Sequence, residues 1–106
     1  MQEMTGEKLH DDRYILYIYT SFCGTCLVAR AMLDKIEALH DKDIFYSLNA
    51  NYYEEFMQSN KIESVPCLLI KEDGEIKEKV YTFHSTGNIY QYLLKYKPEL
   101  FTSSAE

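Results

Sequence analysis

Arg13-Tyr14-Ile15-Leu16-Tyr17-Ile18-Tyr19-Thr20-Ser21-Phe22-Cys23-Gly24-Thr25-Cys26 is the stretch on which the fold is decided. From Arg13 to Tyr19 the chain is a continuous β-branched and aromatic run. It is too short for a helix core and reads as a central strand buried on both faces. Thr20-Ser21-Phe22 interrupts it, and two cysteines follow with two residues between them. From Thr25 to His40 the period then changes. Ala29, Leu33, Ile36 and His40 share one face, with Met32 and Leu39 beside it, a spacing of three and four that predicts an amphipathic helix starting at the cysteine motif.

A Cys-x-x-Cys pair at a helix start has a chemistry of its own. Cys23 faces backbone N–H groups that lack helical partners and the positive end of the helix dipole. Both favour thiolate, so its pKa is expected below the roughly 8.5 of a free cysteine. Cys26 lies one turn further in and should be the less exposed, less ionised sulfur. The asymmetry suits thiol–disulfide exchange, in which one thiolate attacks and the second resolves the mixed disulfide. Zinc or an iron–sulfur cluster is the competing reading. Tetrahedral zinc wants four ligands, and only Cys67, His10, His40 and His84 could complete a set. None of these forms a second Cys-x-x-Cys or a closely spaced His pair, so no metal is expected.

Outward from the motif, residues 43–49 read as a second strand and 52–60 as a short helix with Glu54 and Glu55 near its N-terminus. Pro66 precedes a third strand, Cys67-Leu68-Leu69-Ile70-Lys71. Asp73-Gly74 marks a two-residue hairpin turn, leading to an antiparallel partner over 75–81. Ser85 or Thr86 can cap a last helix that carries Ile89, Tyr90, Leu93 and Leu94 inward and stops before Pro98. Residues 2–10 suggest a short helix. The order β-α-β-α-β-β-α calls for a parallel first pair with a right-handed crossover and a closing hairpin.

Length and composition agree. The 106 residues, 46% hydrophobic, suit a single domain over 1–106. A net charge of −6 argues against nucleic acid or anionic membrane as partner. No run approaches the roughly 20 apolar residues of a membrane span, and the N-terminus lacks a signal-peptide pattern. Three cysteines do not make a disulfide scaffold, so a cytoplasmic protein is expected.

Between residues 13 and 96 the chain resembles the thioredoxin family. The resemblance rests on Phe22-Cys23-Gly24-Thr25-Cys26 between strand and helix, and on Ser64-Val65-Pro66 about forty residues later before an apolar strand and hairpin. It implies a thioredoxin-like α/β fold, a mixed sheet flanked by helices. With only about twelve residues ahead of the first strand, about four strands are expected and the N-terminal strand should be missing. It also implies a thiol–disulfide oxidoreductase needing no cofactor, with Cys23 and Cys26 as the catalytic couple. Phe22, Gly24, Thr25, Val65, Pro66 and Tyr81 should flank the substrate, with a cis Val65–Pro66 bond beside the cysteines. The backbone before that proline should pair with the substrate chain as an added strand. Expected partners are protein or low-molecular-weight disulfides and a reductase or thiol as electron donor, the protein itself being a monomer.

The departures from the family pattern bear on mechanism. Phe22 stands where Trp is usual, and Gly24-Thr25 where Gly-Pro is usual. Thr25 restores a backbone N–H and adds a hydroxyl near the sulfurs, which should make the couple less reducing. Tyr17, six residues before Cys23, stands where thioredoxins bury an Asp as proton acceptor, and Ser47 where they carry the accompanying Lys. A phenol with a pKa near 10 is a poor base at neutral pH. Cys67, directly after Pro66, could be a third redox thiol near Cys26 or a small buried apolar residue. Tyr81 falls near a position where the family has Gly and should narrow the substrate groove. Glutaredoxin-like glutathione signals are only partly present, since Ser85-Thr86-Gly87-Asn88 lacks the Asp. A thioredoxin-fold adaptor or redox sensor with little turnover is the alternative reading.

Overall fold

The computed structural model describes residues 1–102. Five strands form one mixed sheet: β1 (Gln2–Glu3), β2 (Tyr14–Tyr19), β3 (Tyr46–Asn49), β4 (Cys67–Glu72) and β5 (Glu75–Val80), in the order β1-β3-β2-β4-β5. Three helices cover it: α1 (Gly24–His40), α2 (Glu54–Ser59) and α3 (Thr86–Tyr96). β2 sits centrally, parallel to β3 and antiparallel to β4. That explains its unbroken apolar run, since a strand covered on both faces has no solvent side to alternate with.

The pleat sorts the core into two layers. Ile15 and Tyr17 of β2 and Leu68 and Ile70 of β4 pack against Ala29, Leu33 and Ile36 of α1 and Ile89 and Leu93 of α3. Leu16, Ile18, Leu48, Cys67 and Leu69 form the other layer, with Phe56 and Met57 of α2 against it. The helical reading of 25–40 holds for Ala29, Leu33 and Ile36, but Leu39 is exposed. Leu94 likewise points outward from α3, because Ile89 and Leu93 already fill that helix's narrow contact with the sheet.

The sheet has five strands where about four are expected, and β1 occupies part of the segment read as a short helix. It is two residues long, too short to show a period. It forms because the outer edge of β3 is open and Met4, buried, anchors the chain there, with Met4 N–H bonding the Ser47 carbonyl at 2.7 Å. The helical part shrinks to a 3₁₀ turn, Lys8–His10. β3 starts at Tyr46 rather than 43. The N–H groups of Ile44 and Phe45 bond one carboxylate oxygen of Glu37, at 2.9 and 3.0 Å, and not a neighbouring strand. Ahead of α2, Ala50–Tyr52 makes a 3₁₀ turn, so the helix itself is shorter than the pattern over 52–60. The Asp73–Gly74 turn has φ of 54° and 76°, the left-handed pair that a two-residue hairpin demands. Ser85 caps α3 by accepting the Asn88 N–H.

Candidate active site

The site is built where β2 ends and α1 begins. Cys23 is the N-cap of α1 in extended conformation, and its sulfur accepts the Cys26 N–H at 3.2 Å. This is the sulfur version of an N-cap, a side chain satisfying a first-turn donor. The Thr25 hydroxyl lies 3.4 Å from the same sulfur. Cys23 and Cys26 are joined as a disulfide with their Cα atoms 5.2 Å apart. Cys23 is partly exposed and Cys26 is 3% exposed, so the asymmetry between the two sulfurs is built in.

Phe22 directs the chain into the site. Its φ is 59°, a left-handed conformation that costs a non-glycine residue roughly 1 kcal/mol or more. The strain lets β2 turn sharply into α1, and it leaves the Phe22 ring wholly exposed beside the cysteines. Leu27 and Val28, on the outer face of the first turns of α1, are exposed as well.

Two concavities flank the pair. One is a groove of about 460 Å³ bounded by Thr25, Val28, Val65, Pro66, Tyr81, Phe83 and His84. The Val65–Pro66 bond along it is cis. The structure thus brings Thr25, Val65, Pro66 and Tyr81 together, while Phe22 and Gly24 lie on the opposite side of the motif. There a recess of about 260 Å³ is bounded by Tyr17, Tyr19, Phe22, Cys23, Gly24, Cys26 and Arg30. A larger hollow of about 550 Å³ near Leu9, Tyr14, Phe56 and Lys71 is on the other face of the sheet and contains neither cysteine of the pair.

Tyr17 occupies the floor beneath Cys26. It is 2% exposed, its ring stacks on Tyr19 at 5.6 Å, and its hydroxyl donates to the Cys26 carbonyl at 2.5 Å. Burial pushes its phenol up to about 12, with the Arg30 cation pulling the other way. Ser47 lies opposite it on β3.

Cys67 is not brought to the pair. β4 places it opposite Ile18, in the layer on the α2 side, whereas Cys26 sits on α1 and its carbonyl accepts from Tyr17, a residue of the opposite layer. Of the two readings of Cys67, its placement supports the small buried packing residue over a third redox thiol. Adjacent strand positions point to opposite faces, so nearness to Pro66 in sequence does not carry Cys67 to the cysteines. It is fully buried, and desolvation raises its thiol to about 12 against the lowering effects of Lys79 and a hydrogen bond with Tyr81. The Tyr81 hydroxyl also accepts the Glu63 N–H at 3.2 Å, which fixes the ring as a wall of the groove. Among the described residues no group of three or more His, Cys, Asp or Glu side chains is placed to hold a metal ion.

Three groove residues escape the sequence reading. Val28 had a signal: with Leu27 it makes an apolar pair on the solvent side of an amphipathic helix. Phe83 and His84 belong to the β5–α3 connection, and only the tertiary fold brings that loop beside Pro66.

The thioredoxin family model matches residues 3–95. Thioredoxin-like protein YusE of Bacillus subtilis is 41% identical over 97 residues, covering 92% of this chain and 91% of that protein. Thioredoxin-1 of Saccharomyces cerevisiae is 26% identical over 78 residues, 74% of this chain and 76% of its own length. In fold, the chain is similar to oxidised mitochondrial thioredoxin 3 of S. cerevisiae, with a TM-score of 0.73 at 13% identity over 90% of this chain and 94% of that one. Thioredoxin of Malassezia sympodialis gives 0.74 at 16% identity, over 90% and 91%. With a bonded Cys-x-x-Cys pair capping the helix that follows its central strand, this chain belongs to the thioredoxin family of thiol–disulfide oxidoreductases.

Proposed function

We propose that Cys23 is the attacking sulfur and Cys26 the resolving one, acting on disulfides of protein segments seated in the groove between Thr25 and Pro66. The carrying observation is the Cys23 sulfur accepting the Cys26 N–H at the head of α1 while remaining partly exposed, with Cys26 buried behind it. In the reduced enzyme the same N–H supports the Cys23 thiolate. This thiolate attacks one sulfur of the substrate disulfide, and the other leaves as a thiolate. Cys26 then attacks Cys23, the mixed disulfide breaks, and the enzyme keeps the Cys23–Cys26 disulfide. The substrate has gained two electrons and two protons. A reductase or a thiol returns the enzyme to the dithiol.

The groove is mostly apolar and has no Lys or Arg in its lining. That supports protein segments with apolar residues beside the cystine over small anionic disulfides. Phe22 and Gly24 then belong to the outer rim. The protein works as a one-domain monomer in the cytoplasm, a compartment in which a dithiol enzyme is kept supplied with electrons. No helix of the described residues is long and apolar enough to cross a membrane.

Reduction of insulin by dithiothreitol tests this. Catalysed turnover is expected, falling to the uncatalysed rate in Cys23→Ser and in Cys26→Ser. Full activity in Cys23→Ser would sink the assignment. An adaptor with little turnover is supported by the buried phenol beneath Cys26. It would show no catalysis in this assay and a stable mixed disulfide in Cys26→Ser.

A further inference from the structure

The geometry points to a resolving step without a protein base: Cys26 gives its proton to solvent, while Tyr17 beneath it is a positioning residue that holds the Cys26 carbonyl. Partners therefore stay joined to Cys23 far longer at neutral pH than at pH 9. The inference rests on the roles proposed for the two sulfurs and concerns how fast the second acts.

The groups around Cys26 can be taken element by element. From β2 come Tyr17 and Tyr19, both phenols. From β3, opposite Tyr17, comes Ser47, which has no proton to exchange near neutrality. From α1 comes Arg30, one turn further on and a permanent cation. Asp34 is engaged with Arg30 at 3.4 Å; its charge reaches the Tyr17 phenol, but it does not line the recess and starts two turns along the helix from Cys26. From the β5–α3 loop comes His84, which borders the groove, whereas Cys26 borders the recess on the other side of the motif. Among the described residues, no carboxylate or imidazole lines that recess.

Tyr17 cannot substitute for one. Its hydroxyl proton is committed to the Cys26 carbonyl, and burial holds the phenol protonated. What the bond does is fix residue 26, whose N–H is the donor to Cys23. The first thiolate is thus supported through Tyr17, and the second is left unassisted. In balance, the Cys26 proton passes to water or hydroxide, the new thiolate attacks Cys23, and the partner leaves as a thiolate that solvent reprotonates.

Reaction of the reduced full chain with 5,5′-dithiobis(2-nitrobenzoate) separates the two events. Attack by Cys23 releases one coloured thiolate, and resolution by Cys26 releases the second. A rapid first equivalent is expected. The second should be slow at pH 7 and rise roughly tenfold per pH unit until Cys26 itself titrates. Tyr17→Asp should speed the second phase at pH 7 by at least about tenfold and flatten its profile. Tyr17→Phe should keep the steep second phase, while the pH midpoint for alkylation of Cys23 moves up. Both equivalents released together, with no pH dependence between 6.5 and 8.5, would overturn the inference. So would a second phase whose pH dependence changes in His84→Gln. Absence of even the first equivalent would instead overturn the role given to Cys23. The wild-type profile decides even where a Tyr17 variant does not fold.

Discussion

At the scale of single residues, the redox couple is tuned by donors around one sulfur. Cys23 receives the Cys26 N–H, and the Thr25 hydroxyl stands 3.4 Å away. A hydroxyl turned toward a thiolate stabilises the reduced state and so raises the reduction potential. A hydrogen bond to a charged group contributes about 1.5 kcal/mol, and about 1.4 kcal/mol corresponds to ~30 mV for a two-electron couple. Thr25→Val should therefore make the couple more reducing by roughly 30 mV, read from equilibrium with a glutathione redox buffer. An unchanged or higher potential would show that the hydroxyl does not serve the sulfur. Thr25 is legible in the sequence as a departure from Gly-Pro, because its effect is local. The strain at Phe22 is not, since nothing in an aromatic side chain announces a positive φ.

At the scale of elements, what positions the site is the junction of β2 with α1, and what holds α1 on the sheet at its far end is Glu37. This residue sits on the last turns of α1, 8% exposed, and its carboxylate caps the N–H groups of Ile44 and Phe45 as the chain returns to β3. Its second oxygen faces the Met1 amine at 3.0 Å. Replacing it leaves buried donors without partners, a heavier loss than an exposed charge pair. Glu37→Ala should destabilise the protein by about 3 kcal/mol, measured by urea unfolding. Arg30→Ala, which breaks an exposed pair, should cost under about 1 kcal/mol. The amphipathic period of 25–40 locates α1, but it does not single out Glu37. An acidic residue between apolar positions reads as solvent-facing until the loop that meets it is known.

At the scale of the whole molecule, burial decides which groups ionise. Tyr14, Tyr17 and Cys67 are all raised to about 12, chiefly by desolvation. Each is neutral when protonated, and each would ionise earlier once unfolded, the tyrosines near 10 and the thiol near 9. The unfolded chain therefore releases protons first. Their contribution to stability is complete below pH 9 and is lost as pH rises from 9 toward 12. For Cys67 alone the loss at pH 10.5 is about 2 kcal/mol. Urea unfolding at pH 8 and 10.5 should show a fall smaller by that amount in Cys67→Ala than in the wild type. Equal falls in the two proteins would mean that the thiol is not shielded in the folded state.

The sequence by itself determined the order of elements from the central strand onward, the helix that opens on the cysteines, the hairpin at Asp73-Gly74 and a cap for the last helix at Ser85 or Thr86. These follow from periodicity and from turn and cap chemistry, which act over a few residues. Only the tertiary structure decided that Cys67 faces away from the pair, that Phe83 and His84 border the groove, and that a two-residue strand completes the sheet. It also decided that the Tyr17 hydroxyl spends its proton on the Cys26 carbonyl. Those outcomes depend on which face a pleated strand turns toward which helix, and on unpaired backbone edges finding partners far along the chain, neither of which a local pattern encodes.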